Sequence, residues 1–102
     1  MGVRISGDAL LTEAAHKALG GMIRTRLLAK GGRIEALMIT GDFTCLPESG
    51  VEMLGQRQRG EALKPGALAA RIGTILKAAD IETPGVEAVD IETAILAAVH
   101  KD

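Results

Sequence analysis

Asp42 is the residue whose type and position could most directly do acid–base chemistry. It stands in the stretch MITGDFTCLPESG, residues 38–50, which begins like the end of a buried strand and ends like the start of a helix. Its neighbour Phe43 is the only aromatic residue of the chain. A general acid or base needs neighbours that tune its pKa, and Asp42 has no nearby carboxylate or histidine partner in the sequence. We therefore predict an architectural role, in which Gly41 permits a turn, the Asp42 side chain bonds the backbone amides just after it, and Phe43 fills the core below.

Cys45 is the second chemical candidate, as a nucleophile or a sulfur acceptor. It lies in a segment predicted to be a loop, where a thiolate could be exposed. No flanking histidine and no C-x-x-C pattern accompanies it, and a lone cysteine is more often a small buried apolar side chain. Because it is the only cysteine, the chain cannot form an internal disulfide, which favours a reducing compartment and a cytoplasmic location.

The histidines and glycine pairs of the chain are residue types that form metal or phosphate sites in other proteins, but here they lack the spacing that such sites need. His16 and His100 lie at opposite ends of the chain without the separation typical of metal ligands, and we expect both on the surface. The glycine pairs at 20–21 and 31–32 lack the surrounding pattern of a dinucleotide fingerprint or a P-loop. The sequence therefore predicts no metal site, no catalytic residue and no cofactor bound by this chain alone.

Arg24 and Arg26 share one face of a predicted strand, because residues two apart in a strand point the same way. Such a pair usually belongs to a solvated face. Two guanidinium groups could also meet an acidic partner, since each presents a planar fork of donors to a carboxylate.

The composition is that of one globular domain. The 102 residues are 47% apolar and 25% charged, with a net charge of −1 and neither Trp nor Tyr. Because the net charge is not positive and there is only one aromatic ring, the chain is not expected to bind nucleic acid. No apolar run approaches the roughly 20 residues of a membrane span, and the N-terminus lacks the apolar core of a signal peptide. The mostly small aliphatic core predicts modest stability that a partner could increase.

Three antiparallel strands are predicted in the first half of the chain. Residues 23–27 alternate Ile, Thr and Leu with two arginines, the period-2 pattern of a half-buried strand. The glycine pair at 31–32 suits a tight hairpin turn, and residues 34–40 form an apolar central strand. The stretch LTEAAHKAL, residues 11–19, is rich in alanine, but a glycine pair follows it directly, and a third strand would complete a sheet. We therefore predict a strand there, with residues 1–11 as a candidate flexible N-terminal arm.

Three helices are predicted in the second half. Ser49 and Glu52 form an S-x-x-E capping box that begins a short helix ending near Gly60. Pro65 suits the first turn of a second helix, whose apolar face comprises Leu68, Ile72, Ile75, Leu76 and Ala79. On the third helix, which begins at about Ala88, the aligned apolar residues are Ile91, Ile95, Ala98 and Val99. Strands followed by helices predict an α+β fold, with about three helices on one face of a small antiparallel sheet.

One segment of the chain resembles a known family. HKALGGMIRTRLLAKGGRIEALMITGDFTCLPE, residues 16–48, resembles the accessory C-terminal domain of lipoate–protein ligases. That domain typically reads Lys, a small apolar residue or Pro, Gly-Gly, a strand, a glycine turn, then a strand closing in Gly-Asp-Phe with a Pro a few residues on. The resemblance covers about residues 12–100, and its most specific pieces are Lys17 with Gly20–Gly21 and the triplet Gly41–Asp42–Phe43.

The resemblance also implies a set of functional positions. The residues that it suggests form a corner or a partner interface are Lys17, Gly20, Gly21, Gly41, Asp42, Phe43 and Pro47. Two positions depart from the family pattern. Gly55 and Gln58 stand where the first helix usually carries a helix former and an apolar residue, which leaves the packing of that helix open. Cys45 is not part of the pattern either.

The activity that the resemblance implies is shared between two chains. Lipoate–protein ligase uses ATP to convert lipoate to lipoyl-AMP and then transfers the lipoyl group to a lysine of lipoyl domains. The sites for ATP, magnesium and lipoate lie in a large catalytic domain that is absent from this sequence. In some archaea and bacteria the accessory domain is a separate polypeptide needed for the adenylation step. The resemblance therefore implies a non-catalytic subunit of a heterodimer, although a domain cut from a longer ligase would have the same sequence.

Two other functions stay open on the sequence alone. The accessory fold is similar to that of iron–sulfur scaffold and sulfur-acceptor proteins, so Cys45 could carry a persulfide. The chain could also be a free-standing module that binds a small acyl compound. The preference between lipoate and octanoate stays open as well.

Overall fold

The chain folds as a four-stranded antiparallel sheet with three helices. The computed structural model describes residues 2–6 and 9–99. The elements in chain order are β1 (Gly2–Ser6), β2 (Ala9–Ala18), β3 (Gly21–Lys30), β4 (Arg33–Gly41), α1 (Gly50–Arg57), α2 (Ala67–Ala78) and α3 (Ala88–Val99). The strands lie side by side in the order β1-β2-β3-β4. This confirms the α+β class and the choice of strand for residues 11–18, with Leu19 in the turn that follows.

The N-terminal segment differs from its prediction. A flexible arm was expected over residues 1–11, but Gly2–Ser6 forms β1, a fourth strand that pairs with β2. The backbone of the segment thus gains a ladder of hydrogen bonds at the edge of the sheet, which its own pattern did not reveal. His100 lies outside the described residues, so its predicted surface position stays a prediction.

The sheet is half-buried because its strands alternate. Ile23, Thr25 and Leu27 point to the buried face of β3, and the two arginines between them are exposed. Gly31 and Gly32 both have positive φ, 60° and 74°, as a two-residue hairpin turn requires.

The helices cover the face of the sheet that carries Ile23. α3 packs against β2 and β3, α1 packs against β4, and α2 packs on α3 and α1. The Thr25 hydroxyl donates a hydrogen bond of 2.8 Å to the Ala94 carbonyl, which fixes α3 to the sheet. The largest fully buried side chains of the core are Ile23, Leu27, Ile34, Leu68, Ile72, Ile91 and Ile95. Val99, predicted on the buried face of α3, is exposed instead.

A buried carboxylate joins the second and third helices. Glu92 of α3 accepts hydrogen bonds from the Gly66 amide at 2.7 Å and the Ala69 amide at 2.8 Å. These amides belong to the N-terminal turn of α2, where an acceptor from outside the helix must satisfy them. Pro65, expected in the first turn, lies just before the helix, and Gly66 is its N-cap.

The first helix begins without its predicted capping box. Ser49 is the N-cap residue, but its backbone is helical (φ −67°, ψ −10°) and its side chain makes no capping bond. An N-cap hydroxyl reaches the following amides from the extended region, so this conformation turns it away. The Glu52 side chain instead accepts a hydrogen bond at Oε1 from the side-chain amide of Gln56, with 3.5 Å between Oε1 and Nε2.

The two departures from the family pattern fit this packing. A Cβ at Gly55 would lie 2.6 Å from the Leu37 carbonyl oxygen, so the glycine lets α1 rest directly on β4. Gln58 is fully buried and donates to the Leu54 carbonyl at 3.2 Å. Its other amide atom, Oε1, has no hydrogen-bond partner among the described residues.

Candidate functional site

Three segments of backbone meet at one end of the sheet. They are the turn between β2 and β3, the end of β4, and the loop between α2 and α3. The Gly20 amide donates to the Gly85 carbonyl at 2.8 Å, and the Asp42 amide donates to the Met22 carbonyl at 3.0 Å. We call this contact region the glycine corner and define it by Gly20, Gly21, Gly41 and Gly85.

The contact between the β2–β3 turn and the α2–α3 loop leaves no room for side chains. A Cβ at Gly20 would collide with the Pro84 carbonyl oxygen, and one at Gly85 would lie 2.7 Å from the Gly20 Cα. Gly85 also has φ 77°, which other residues rarely adopt. Glycine is therefore the only residue that fits either position without moving the backbone.

The contact between β3 and the end of β4 is equally close. A Cβ at Gly41 would collide with the Met22 carbonyl oxygen, and one at Gly21 would lie 2.5 Å from the Asp42 carbonyl oxygen. The two predicted glycine motifs thus meet in one structure, although Gly41 lies 44 residues and Gly21 lies 64 residues before Gly85 in the chain.

Asp42 belongs to the corner through its backbone only. Its carboxylate is 77% exposed, and Oδ2 lies 4.0 Å from Arg24 Nη1. Among the described residues the side chain makes no hydrogen bond to a backbone amide, so the predicted turn-closing role of the carboxylate is wrong. The turn is held instead by backbone contacts: the Asp42 amide donates to the Met22 carbonyl, and Gly21 and Gly41 let the two strands approach closely.

Phe43 lies beneath the corner. Its ring packs against the core cluster and is partly buried rather than fully enclosed. A Cβ at Gly41 would lie 3.1 Å from Phe43 Cδ1, so the ring lies close against the glycine as well. The predicted filling role agrees with this position, although the ring keeps some contact with solvent.

Two exposed side chains flank the corner. Lys17 is exposed near the end of β2, and Leu19 at the tip of the following turn is fully exposed. The exposure of Leu19 was not predicted from the sequence. Its position directly before a glycine pair, where a turn is expected, was the available signal. An isolated exposed leucine is common on protein surfaces, but this one stands on backbone that three segments hold in place.

His16 does not lie free on the surface as predicted. Its Nε2 lies 3.2 Å from Asp90 Oδ1, and both side chains are about three-quarters buried. Asp90 Oδ2 also accepts a hydrogen bond of 2.9 Å from the Glu87 amide, which caps the start of α3. The Glu87 amide, helped by His16 and opposed by burial, lowers the pKa of Asp90. With Lys17, Leu19, Thr83 and Glu87, the pair lines an open groove of about 810 Å³ beside the corner.

Cys45 and Pro47 lie in a separate turn at the start of α1. The Cys45 side chain is buried, only 9% exposed, and its thiol donates to the Pro47 carbonyl at 3.3 Å. Burial raises the pKa of this thiol. The preferred interpretation of Cys45 as a small buried side chain is confirmed, and the alternative of an exposed thiolate is not. Pro47 follows a cis peptide bond, and its carbonyl also accepts from the Gly50 amide at 2.9 Å. Of the predicted positions, the structure joins Gly20, Gly21, Gly41, Asp42 and Phe43, and it places Pro47 in this other turn.

The described part of the chain contains no group of three His, Cys, Asp or Glu side chains arranged to hold a metal ion. Within the same ranges, no helix is long and apolar enough to cross a membrane. At the corner, closely packed backbone carries three exposed side chains: a leucine, a lysine and a carboxylate.

Comparison with known proteins gives one informative relationship. No family model matches the chain, and no curated protein sequence matches it. A solved structure does match, with a TM-score of 0.68 and 30% sequence identity. It comes from an archaeal lipoylation system, described as a bipartite lipoate protein ligase and its E2 lipoyl domain from Thermoplasma acidophilum. The match covers 85% of this chain and 96% of the other.

Proposed function

The chain belongs to the family of accessory subunits of bipartite lipoate–protein ligases, and from this premise we propose that it is a non-catalytic subunit. In this proposal it joins a separate large subunit, and both are required to convert lipoate and ATP to lipoyl-AMP and to lipoylate acceptor lysines. ATP, magnesium and lipoate bind to the large subunit. The observation that carries the proposal is the extent of the match, which covers 96% of the related chain.

The glycine corner supports this role, because its backbone segments pack directly against one another and are joined by hydrogen bonds. A surface whose backbone is already fixed loses little conformational freedom when a partner binds. Leu19 offers an apolar contact and Lys17 a positive charge beside it. We propose that the corner and these side chains form part of the contact with the large subunit.

Such a contact can promote adenylation without supplying a catalytic group. A subunit that binds one conformation of its partner more tightly shifts the partner toward that conformation. In this proposal the accessory chain stabilises the conformation in which the large subunit aligns lipoate with ATP. The shift is limited by the difference between the two binding affinities.

Cys45 gives no support to the alternative of a sulfur acceptor. A persulfide carrier needs a thiolate that its partner can reach, whereas this thiol is buried, donates a hydrogen bond and has a raised pKa.

The experiment compares three mixtures: this chain alone, the catalytic subunit of the same organism alone, and both together. Each receives ATP, magnesium and lipoate, and lipoyl-AMP is measured by mass spectrometry. We expect lipoyl-AMP only from the mixture of both. Formation of lipoyl-AMP by this chain alone, or at an undiminished rate by the catalytic subunit alone, would contradict the proposal. Repeating the mixture with octanoate determines which acyl chain is preferred.

A further inference from the structure

The sheet has a second face that the helices leave uncovered. Its exposed side chains include Glu13, Lys17, Arg24, Arg26, Met38 and Thr40, and we call these six the outer face. The Thr25–Ala94 and His16–Asp90 contacts that fix α3 lie on the opposite face.

The two arginines of the outer face have different surroundings. In the register of the sheet, Arg26 lies opposite Glu13 on β2. Its Nε and Nη2 atoms both lie 2.9 Å from Glu13 Oε1, so this guanidinium already holds a carboxylate. Arg24 lies opposite Ala15 on β2 and Thr40 on β4, neither of which is charged.

Unlike Arg26, the Arg24 guanidinium has no carboxylate within hydrogen-bond distance among the described residues. Its single ion pair among the described residues is the contact with Asp42, at 4.0 Å, which is too long for a hydrogen bond. Lys17 makes no ion pair within that part of the chain. The six side chains of the outer face carry three positive charges against one carboxylate, and Asp42 beside Arg24 adds a second. The local excess is one positive charge, although the chain as a whole has a net charge of −1.

The shape of the outer face suits a protruding acidic side chain. A shallow groove of about 430 Å³ is lined by Ala15, Arg24, Met38 and Thr40, among others. The small side chain of Ala15 leaves one side of the Arg24 fork open. Arg and Met are enriched in protein–protein interfaces, where Arg binds a carboxylate through two parallel hydrogen bonds.

From this excess of positive charge we propose that the outer face docks against an acidic patch of the catalytic subunit, with Arg24 receiving a partner carboxylate. The inference rests on the proposed function, since it assigns a surface for the complex that the function requires. Lys17 belongs to both the outer face and the edge of the glycine corner, so the two surfaces form one continuous contact region. Charge complementarity of this kind speeds association and orients the two subunits.

The test measures the dissociation constant between the catalytic subunit and variants of this chain by titration calorimetry. Arg24→Glu should weaken binding at least about tenfold, because repulsion replaces attraction at the centre of the face. Arg24→Lys keeps the positive charge but loses the planar guanidinium that binds a carboxylate through two hydrogen bonds. Its dissociation constant should therefore lie between those of Arg24→Glu and the unaltered chain. Raising the salt concentration should weaken binding of the unaltered chain more than binding of Arg24→Glu.

Lys77→Glu is the matched control, since it makes the same change in net charge on α2, away from the sheet. It should change the dissociation constant less than about twofold. The Arg24 side chain is 56% exposed, so its variants should show the circular dichroism and melting curve of the unaltered chain.

The outcomes separate the inference from the proposed function. If Arg24→Glu binds as tightly as the unaltered chain while the complex forms lipoyl-AMP, the docking surface is wrong and the function stands. If the unaltered chain neither binds nor stimulates the catalytic subunit, the proposed function itself fails. Loss of binding to a lipoyl domain, or of self-association, with unchanged binding to the catalytic subunit would assign the face to that other occupant and overturn the inference.

Discussion

The glycine corner and the outer face are neighbours that are built in opposite ways. At the corner, backbone lies against backbone, and four glycines are needed because a Cβ at each would meet another main chain. On the outer face the backbone is ordinary antiparallel sheet, and the distinctive features are exposed charges. Substitutions at the corner should therefore act through the fold, whereas substitutions on the outer face should act through recognition and leave the fold intact.

Gly41→Ala should have the largest effect on stability. Its Cβ would collide with the Met22 carbonyl oxygen, and its φ of 153° is strained for other residues. Overpacking and backbone strain each cost about 1–3 kcal/mol, so we expect a loss of about 3 kcal/mol or more in the free energy of unfolding. Urea denaturation measures it.

Gly73→Ala is the matched control for this prediction. Gly73 lies inside α2, where an added Cβ would lie 3.8 Å from Ala88 Cβ, an ordinary contact. Since alanine is the better helix former, this variant should be more stable by about 0.5–1 kcal/mol. Equal destabilisation by both substitutions would mean that the corner is no more constrained than any other glycine position.

Phe43→Ala should have an intermediate effect. A fully buried phenylalanine costs about 3–5 kcal/mol when truncated to alanine, but this ring is only partly buried. We expect a loss of about 2 kcal/mol in urea denaturation, with the corner glycines still in contact. A loss below about 0.5 kcal/mol would show that the ring contributes nothing to the core beneath the corner.

Asp90→Asn should produce a smaller, pH-dependent effect. Because the pKa of Asp90 is lowered in the folded state, its carboxylate stabilises the fold above its ordinary pKa of about 3.8, and this contribution is lost as pH falls through the folded value. Near pH 7 the variant should be less stable by about 1 kcal/mol, the usual contribution of a helix cap. At pH 2.5 the difference should shrink. A difference that stays constant between these pH values would contradict the role of the charge.

Asp42→Ala should have the smallest effect. With a 77% exposed carboxylate and no side-chain bond to the described backbone, we expect a change below about 0.5 kcal/mol. The turn-closing role predicted from the sequence requires a loss of about 1 kcal/mol, the value of one hydrogen bond. Thermal unfolding of Asp42→Ala and Asp42→Asn separates the two roles, because only asparagine keeps an acceptor oxygen. A turn-closing side chain would make the alanine variant less stable than the asparagine variant, whereas we expect the two to melt alike.

Sequence patterns predicted the elements of this fold better than its contacts. Alternation at residues 23–27 and the glycine turn at 31–32 were sufficient for β3 and β4, since both signals are local. The strand β1 was missed because five residues carry too little periodicity to reveal a partner. The capping box at Ser49 failed because the motif does not determine the backbone angles on which the capping bond depends.

The candidate site was predictable in its residues but not in its assembly. Gly20–Gly21 and Gly41 were singled out, whereas Gly85, which completes the corner, is marked in the sequence only by the Pro84–Gly85 break between two helices. That local signal does not reveal which backbone Gly85 meets. The His16–Asp90 pair joins residues 74 positions apart, and no spacing rule links them. Gly55 appeared as a departure from the family pattern, and only the position of the Leu37 carbonyl explains why a glycine fits there.

The most direct test of the central claim is a titration of this chain into a fixed amount of the catalytic subunit. The readout is pyrophosphate released in the presence of lipoate and ATP. If the chain is the accessory subunit, the rate should rise from near zero and saturate at one equivalent. Gly41→Ala should need more protein to reach the same plateau, because only its folded fraction can bind. A rate that is already maximal before any of this chain is added would contradict the account.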